Sequence, residues 1–236
     1  MFSASADLYD IIYSGFKNYP EETGKVAGLI RRVHPGARTV LDIACGTGEH
    51  ARLLSQDHGF AVDGIDLDSG LLAIAARKNP AGNFDRADMI SFDLGTRYDV
   101  VTCLFSSIGY AGTSENLRSA LACFRRHLAP GGVAIVEPWF PPGVLSHGRV
   151  SIRSAGTGEM NVCRMSHVTV EGRRPSLRFD YLIGTAAGIT HATETHELGL
   201  FTVEEMLAGF ADAGLSASYD PAGIADRGLY IATIAE

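Results

Sequence analysis

Leu41-Asp42-Ile43-Ala44-Cys45-Gly46-Thr47-Gly48-Glu49 reads as an apolar strand that ends in a glycine turn and runs directly into a helical pattern. A second apolar run, Phe60-Ala61-Val62-Asp63-Gly64-Ile65, is closed by Asp66, about twenty residues beyond the turn. Glycine lets backbone N–H groups approach a ligand because no Cβ stands in the way. A carboxylate at the tip of the next strand can accept both hydroxyls of a ribose, and has little structural purpose there otherwise. Together they describe a nucleoside cleft. The dinucleotide fingerprint asks for a third glycine, which here is the tolerated Ala51. Asp42, just before the turn, argues for a different ligand. A buried anion there would repel a pyrophosphate but suits a ligand carrying an ammonium group and no phosphate.

Outward from this stretch the chain alternates strands and helices. Residues 6–32 repeat apolar positions at helical spacing, broken at Tyr19-Pro20, with Glu21 and Glu22 placed for a helix N-terminus. Strands are expected at Thr39–Ile43, Phe60–Ile65, a short segment before Ala87-Asp88-Met89, Tyr98–Phe105 and Val133–Glu137. Helices are expected after Gly48, over Ser69–Lys78 and over Ser114–His127, the last stopped by Ala129-Pro130-Gly131-Gly132. This pattern predicts an α/β fold, a Rossmann-like sheet with helices on both faces.

Beyond Pro141-Pro142-Gly143 the periodicity switches to two, as in Asn161-Val162-Cys163-Arg164-Met165 and Leu177-Arg178-Phe179-Asp180-Tyr181-Leu182, punctuated by turn compositions. Residues 143–197 therefore read as an antiparallel β insert with one wet face, placed as a lid over the carboxyl ends of the strands. The helical pattern resumes at Thr202, an N-cap followed by Glu204 and Glu205; Gly214 ends that helix and Leu229–Ile234 forms the last strand. Residues 1–142 and 198–236 are then one ligand-binding domain carrying the insert.

The 236 residues are ample for a full core, and the net charge of −7 argues against a nucleic-acid partner. The four cysteines lack Cys-x-x-Cys spacing, as expected of reduced thiols in a cytoplasmic protein. No stretch approaches the ~20 apolar residues of a membrane span. His167, His191 and His196 lie on the insert with no metal-ligand spacing, so they read as hydrogen-bonded structural histidines and no metal is expected.

Asp42, the two glycines and Asp66 together resemble motif I of the class I S-adenosylmethionine-dependent methyltransferases. Further strings narrow the resemblance. Val101-Thr102-Cys103-Leu104-Phe105-Ser106-Ser107-Ile108-Gly109-Tyr110, Glu137-Pro138-Trp139-Phe140-Pro141, Arg164-Met165-Ser166-His167 and Arg227-Gly228-Leu229-Tyr230 are similar to segments of the N,N-dimethyltransferases that act on TDP-linked amino sugars in antibiotic biosynthesis. The likeness runs from Leu8 nearly to the end of the chain.

The resemblance implies S-adenosylmethionine as cofactor, a nucleotide-sugar substrate, and a set of roles. Tyr9 and Tyr19 would approach the cofactor from the N-terminal helices, Ala44 and the Gly46–Gly48 turn would meet its methionine part, Asp66 the ribose, and Asp88 and Met89 the adenine, with Glu49 and Leu104 also cofactor-binding. Arg164 and Arg227 would hold phosphates, while Trp139, Phe140, His167 and Tyr110 would line the substrate pocket. The family string usually ends in histidine where this chain has Tyr110. With an unperturbed pKa near ~10, tyrosine is a poor base and a good hydrogen-bond partner. The expected mechanism is therefore alignment of amine and methyl, the proton leaving to water.

Read without the resemblance, Asp88 is equally a helix cap, Tyr9 and Tyr19 packing residues, Trp139 core, and the arginines surface charge. Other acceptors stay open at this point: an aminoglycoside, an amino nucleoside or a hydroxyl group. So does a protein that binds the cofactor without transferring a methyl. The exposed edges of the insert leave a homodimer possible.

Overall fold

A computed structural model describes residues 6–224 and 227–235, so the start of the 1–142 segment lies outside the described residues. Helices α1 (Ala6–Ser14) and α2 (Tyr19–Val33) precede β1 (Thr39–Ile43), α3 (Glu49–Gln56), β2 (Ala61–Asp66), α4 (Ser69–Lys78), β3 (Phe84–Arg86) and β4 (Tyr98–Cys103). A 3-10 turn (Ser107–Ala111), α5 (Ser114–Arg126) and β5 (Leu128–Val136) follow. Next come β6 (Val150–Gly156), β7 (Met160–Glu171), β8 (Arg174–Thr185) and β9 (Gly188–Glu197), then α6 (Val203–Asp212), β10 (Leu215–Asp220) and β11 (Leu229–Ile234).

The first sheet has seven strands in the order β10-β11-β5-β4-β1-β2-β3. Its β1–β5 ladders are parallel, and β11 and β10 add antiparallel pairs at one edge. Near-continuous apolar strands are what two covered faces require. Alternate residues show it. Val40, Val100, Val133 and Ile135 pack with Val26, Ile30 and Leu54 of α2 and α3. Leu41, Val101, Ala134 and Val136 pack with Leu117, Phe124 and Phe210 of α5 and α6 on the other face.

Two details differ from the sequence reading. Leu128 already pairs with Tyr98, and the register then shifts before Val133, so the Ala129-Pro130-Gly131-Gly132 stop is an irregular strand start rather than a separate turn. Proline is accommodated at such breaks in a ladder. Strand β10 was not anticipated. Its Ser216-Ala217-Ser218 centre carries no β signal of its own and is recruited by pairing with β11.

The second sheet is the insert, four antiparallel strands in the order β6-β7-β8-β9. Its inner face buries Val162, Phe179 and Tyr181 against Leu8 and Ile12 of α1. Its outer face exposes Val150, Ile152, Met165, Leu182 and Ile189. Helix α1 is thus the layer between the insert and the strand tips. It is anchored by Asp10, which accepts from Thr47 Oγ1 at 2.6 Å and pairs with Lys78 at 2.7 Å. At the far end Arg173 grips Glu205 at 2.6 Å and the Leu200 carbonyl at 2.7 Å. Glu205 also completes the Thr202 capping box of α6. Among the described residues no helix is long and apolar enough to cross a membrane.

Gly48 starts α3 at φ +71°, and a Cβ there would stand 2.7 Å from Ala75 Cβ on α4. Its role is close helix–helix approach. Gly48→Ala combines that clash with left-handed backbone strain, so urea unfolding should show a loss of about 1–3 kcal/mol.

Candidate active site

The tips of β1 and β2 are tied by one carboxylate. Asp66 Oδ2 accepts the Gly46 N–H and its Oδ1 accepts the Asp68 N–H, both at 2.9 Å. A carboxylate at this strand tip is expected to have little structural purpose, but here it holds the turn between the strands. Ala44, at φ +56°, and Gly46, at φ +58°, lie in the left-handed region within that turn. Each carboxylate oxygen keeps a second lone-pair direction for a ligand. Burial raises the carboxyl above its usual range despite these N–H groups.

A second carboxylate holds the tips of β4 and β5. Glu137 Oε2 accepts the Phe105 N–H at 2.6 Å. Phe105 and Ser106 both have positive φ, +53° and +64°. Ser106 Oγ donates to the Pro138 carbonyl at 2.7 Å and accepts from Arg227 Nη1 at 3.1 Å. Arg227 lies 4.0 Å from Glu137 and over the rings of Phe105, Trp139 and Phe140, at 5.3, 5.9 and 5.9 Å.

Between these tips and the insert the structure opens into connected cavities. One, of about 250 Å³, runs over Asp66 and is walled by Ala44, Gly46, Asp68, Ala87 and Met89. A narrow extension of about 20 Å³ reaches Asp42, Tyr19, Glu49 and Leu104. A third, of about 300 Å³, lies under the insert and holds Arg149, Arg153, Arg164, Arg227, Trp139 and Phe140. Tyr9 and Ser107 border all three, and Tyr110 borders the two large ones.

Charge is partitioned between them. The described walls of the first cavity and its extension carry Asp42, Glu49, Asp66 and Asp68 and no lysine or arginine. The cavity under the insert carries the four arginines and no carboxylate among its described lining residues. Asp42 is buried and accepts from Thr102 Oγ1 at 2.8 Å. Burial pushes its carboxyl up to about 6, against the lowering effect of His50 and the Thr102 bond.

Most of the residues singled out in the sequence converge here, but not all. Asp88 spends Oδ1 on the Ile90 N–H at 3.1 Å and caps its own turn, leaving Ala87 and Met89 on the cavity wall. Gly48 packs on Ala75 as described above. Glu49 borders the narrow extension, but its carboxylate is engaged by Arg52 at 2.6 Å and Lys78 at 3.0 Å. His167 is exposed on the outer face of the insert, because strand alternation turns Arg164, Ser166 and Val168 inward and His167 away. Arg164 is only 8% exposed, held over the Phe179 ring at 4.4 Å and donating to Tyr13 Oη at 3.2 Å.

Other residues were not foreseen. Arg149, Ser151 and Arg153 line the arginine-rich cavity, at alternate positions along the edge strand. Ser107 stands where the cavities meet. His196, assigned a structural role, lies 2.9 Å through Nδ1 from the Tyr110 hydroxyl. Period-two spacing was visible for these positions, but the face turned toward the strand tips depends on how the insert folds back.

A family profile described as a methyltransferase domain matches residues 40–132. Over 227 residues the chain is 41% identical to a dTDP-3-amino-3,6-dideoxy-alpha-D-glucopyranose N,N-dimethyltransferase of Streptomyces fradiae, covering 95% of this chain and 89% of that one. It is 38% identical to a dTDP-4-amino-2,3,4,6-tetradeoxy-D-glucose N,N-dimethyltransferase of Saccharopolyspora spinosa, covering 96% and 91%. Among solved structures, Streptomyces venezuelae DesVI superposes with a TM-score of 0.91 at 35% identity, covering 98% of both chains. CalS10, an amino pentose methyltransferase of Micromonospora echinaspora solved with S-adenosylmethionine bound, superposes with a TM-score of 0.85 at 37% identity, covering 96% of both. Fold, strand-tip acids and near-full-length identity agree: the chain belongs to the S-adenosylmethionine-dependent N,N-dimethyltransferases of nucleotide-linked amino sugars.

Proposed function

We propose that this chain transfers two methyl groups to the amine of a TDP-linked amino-deoxysugar, in the biosynthesis of an antibiotic. The partition of charge carries the reading. A cavity walled by acids suits a cationic nucleoside without phosphates, and a neighbouring cavity with four arginines suits the diphosphate of a sugar nucleotide.

S-adenosylmethionine, when bound, supplies an electrophilic methyl on a sulfonium. The residues of the first cavity fit it. Asp66 offers its remaining lone pairs to the ribose, and Ala87 and Met89 offer an apolar wall to the adenine. Asp42, Tyr9, Tyr19 and Leu104 border the narrow end, where an ammonium would offset the buried acid. Under the insert, Arg149 and Arg153 project guanidinium groups for phosphate oxygens. Arg227 and Arg164, already committed to neighbouring side chains, fix the floor. Trp139, Phe140 and Tyr110 present ring faces toward the amine, and such faces attract cations by about 0.5–2 kcal/mol. Holding amine and methyl in line can supply ~7–11 kcal/mol of the barrier reduction.

Cytoplasmic residence goes with this reading and with the four free cysteines. A homodimer paired through the exposed edges of the insert belongs to the same proposal and is measurable by analytical ultracentrifugation.

Incubation with the cofactor and TDP-amino sugars should give products heavier by one and then two methyl groups in mass spectrometry. Absence of both across 3- and 4-amino isomers would falsify the reading. Arg149→Ala and Arg153→Ala should each raise KM for the TDP-sugar about 10-fold or more, leaving kcat nearly unchanged. Neither should affect turnover of the free amino sugar. Asp66→Ala should weaken cofactor binding by about 10²-fold in calorimetry, since it removes a charged acceptor from two hydroxyls.

Asp42 yields a pH prediction. Its folded pKa of about 6 exceeds the unfolded value of about 3.9. The ionised form therefore costs stability at neutral pH, and stability falls as pH rises from about 4 toward 6. Asp42→Asn should raise unligated stability by about 1–3 kcal/mol at pH 7 and by almost nothing at pH 4. Chemical denaturation at the two pH values reads both.

A further inference from the structure

His196 is nearly sealed from solvent, at 2% exposure, yet belongs to the wall of the arginine-rich cavity. Its Nδ1 lies 2.9 Å from Tyr110 Oη, and its Nε2 lies 3.3 Å from Glu194 Oε1. Glu194 is itself buried, at 8%, and accepts a hydrogen bond from the Tyr181 hydroxyl on the same oxygen. The Glu194 carboxyl beside Nε2 favours the tautomer that carries its N–H on that side, although the 3.3 Å contact is an electrostatic approach rather than an aligned hydrogen bond. That leaves the Nδ1 lone pair facing the Tyr110 O–H. The result is a phenol hydrogen-bonded to an imidazole, with a carboxyl group close on the imidazole's other side.

Such a pair is a weak source of stability, because desolvating it offsets its attraction. Its position is more informative. The phenol belongs to Tyr110, whose ring is 41% exposed and borders both large cavities. Phe179 covers the imidazole at 5.0 Å between centroids. Among the described residues, the titratable and charged groups at His196 and at its neighbour Glu194 include Tyr110 from the 3-10 turn, Tyr181 from β8, Arg164 from β7 and Tyr13 from α1.

We propose that His196 is a positioning residue that acts through Tyr110 and takes up the proton lost by the acceptor amine. The inference rests on the reading of the site as an amine methyltransferase. In this step an N–H bond of the acceptor ammonium breaks and its electron pair stays on nitrogen, free to attack. The proton passes to Tyr110 Oη while the phenol's own proton crosses to His196 Nδ1. Tyr110 begins and ends neutral, and the imidazole becomes an imidazolium against Glu194. After the product leaves, the proton returns through Tyr110 to water.

The test compares pH profiles of kcat for wild type, His196→Asn, Tyr110→Phe and the double variant, with a TDP-amino sugar as acceptor. Wild-type formation of methylated product upholds the underlying reading independently. His196→Asn keeps a hydrogen-bond acceptor for Tyr110 but cannot hold a proton. Its kcat should fall about 10²-fold at pH 7 and recover toward wild type as pH approaches the pKa of the free amine. Cofactor affinity in calorimetry should stay within about 2-fold of wild type, a margin well under 1 kcal/mol. Tyr110→Phe should show the same pH-dependent loss, and the double variant should fall no further than either single. A His196→Asn profile parallel to wild type at any height, or additive losses in the double variant, overturns the proposal. Should His196→Asn fail to fold, Tyr110→Phe decides alone: a loss that vanishes at high pH supports the relay, and a pH-independent loss refutes it.

Discussion

The site depends first on the Asp66 carboxylate. Its hydrogen bonds to the Gly46 and Asp68 N–H groups bind two strand tips into one surface and hold Ala44 in a backbone region that non-glycine residues rarely occupy. Burial still raises the acid above its ordinary range. Two backbone donors do not fully compensate it, and further donors from a ligand would. On the proposed reading, the group that shapes the turn is also the one that hydroxyls of a ligand would relieve.

Glu137 repeats the device one strand pair away. It takes the Phe105 N–H, while Ser106 and Arg227 complete the brace. Left-handed backbone at non-glycine residues costs about 1–3 kcal/mol each, and Ala44, Phe105 and Ser106 all carry it. All three border the cavities. The strain turns the chain sharply at each strand end, so that side chains which would otherwise continue along the strand face the ligand space. Arg227 is part of this brace as much as of the substrate wall, which makes the exposed Arg149 and Arg153 cleaner probes of phosphate binding.

Much of this was legible in the sequence. The apolar runs through Leu41 and Val101, the glycine turn and Asp66 follow local rules of spacing, and they fixed the parallel sheet and one cavity. The insert was visible as period-two alternation. What stayed hidden was orientation across the gap. Nothing local says that Arg153 faces the strand tips while His167, on the neighbouring strand, faces away; that follows from the packing of Val162, Phe179 and Tyr181 on α1. Strand β10 was missed because its residues are recruited by a neighbour. Asp66 was misjudged as purely functional because backbone N–H partners do not show in a sequence. Tyr110 was read as a poor base in isolation, and the imidazole beside it comes from a position 86 residues away.

The separation of the two sheets has an electrostatic reason. A sulfonium and a diphosphate need opposite surroundings, and a guanidinium on the acid wall would oppose the first as strongly as it aids the second. Acids at the tips of β1 and β2 face one cavity, and Arg149, Arg153 and Arg164 of the insert together with Arg227 beside β11 face the other, which keeps each charge near its own cavity. Where the cavities meet, the bordering side chains are Tyr9, Ser107 and Tyr110, all neutral. On the proposed reading, an amine held through its phosphate tail under the insert would meet the methyl in neither field. On that reading its reactivity there turns on its own proton, and the described side chains at the junction that could relay one are the hydroxyls of Tyr9, Ser107 and Tyr110.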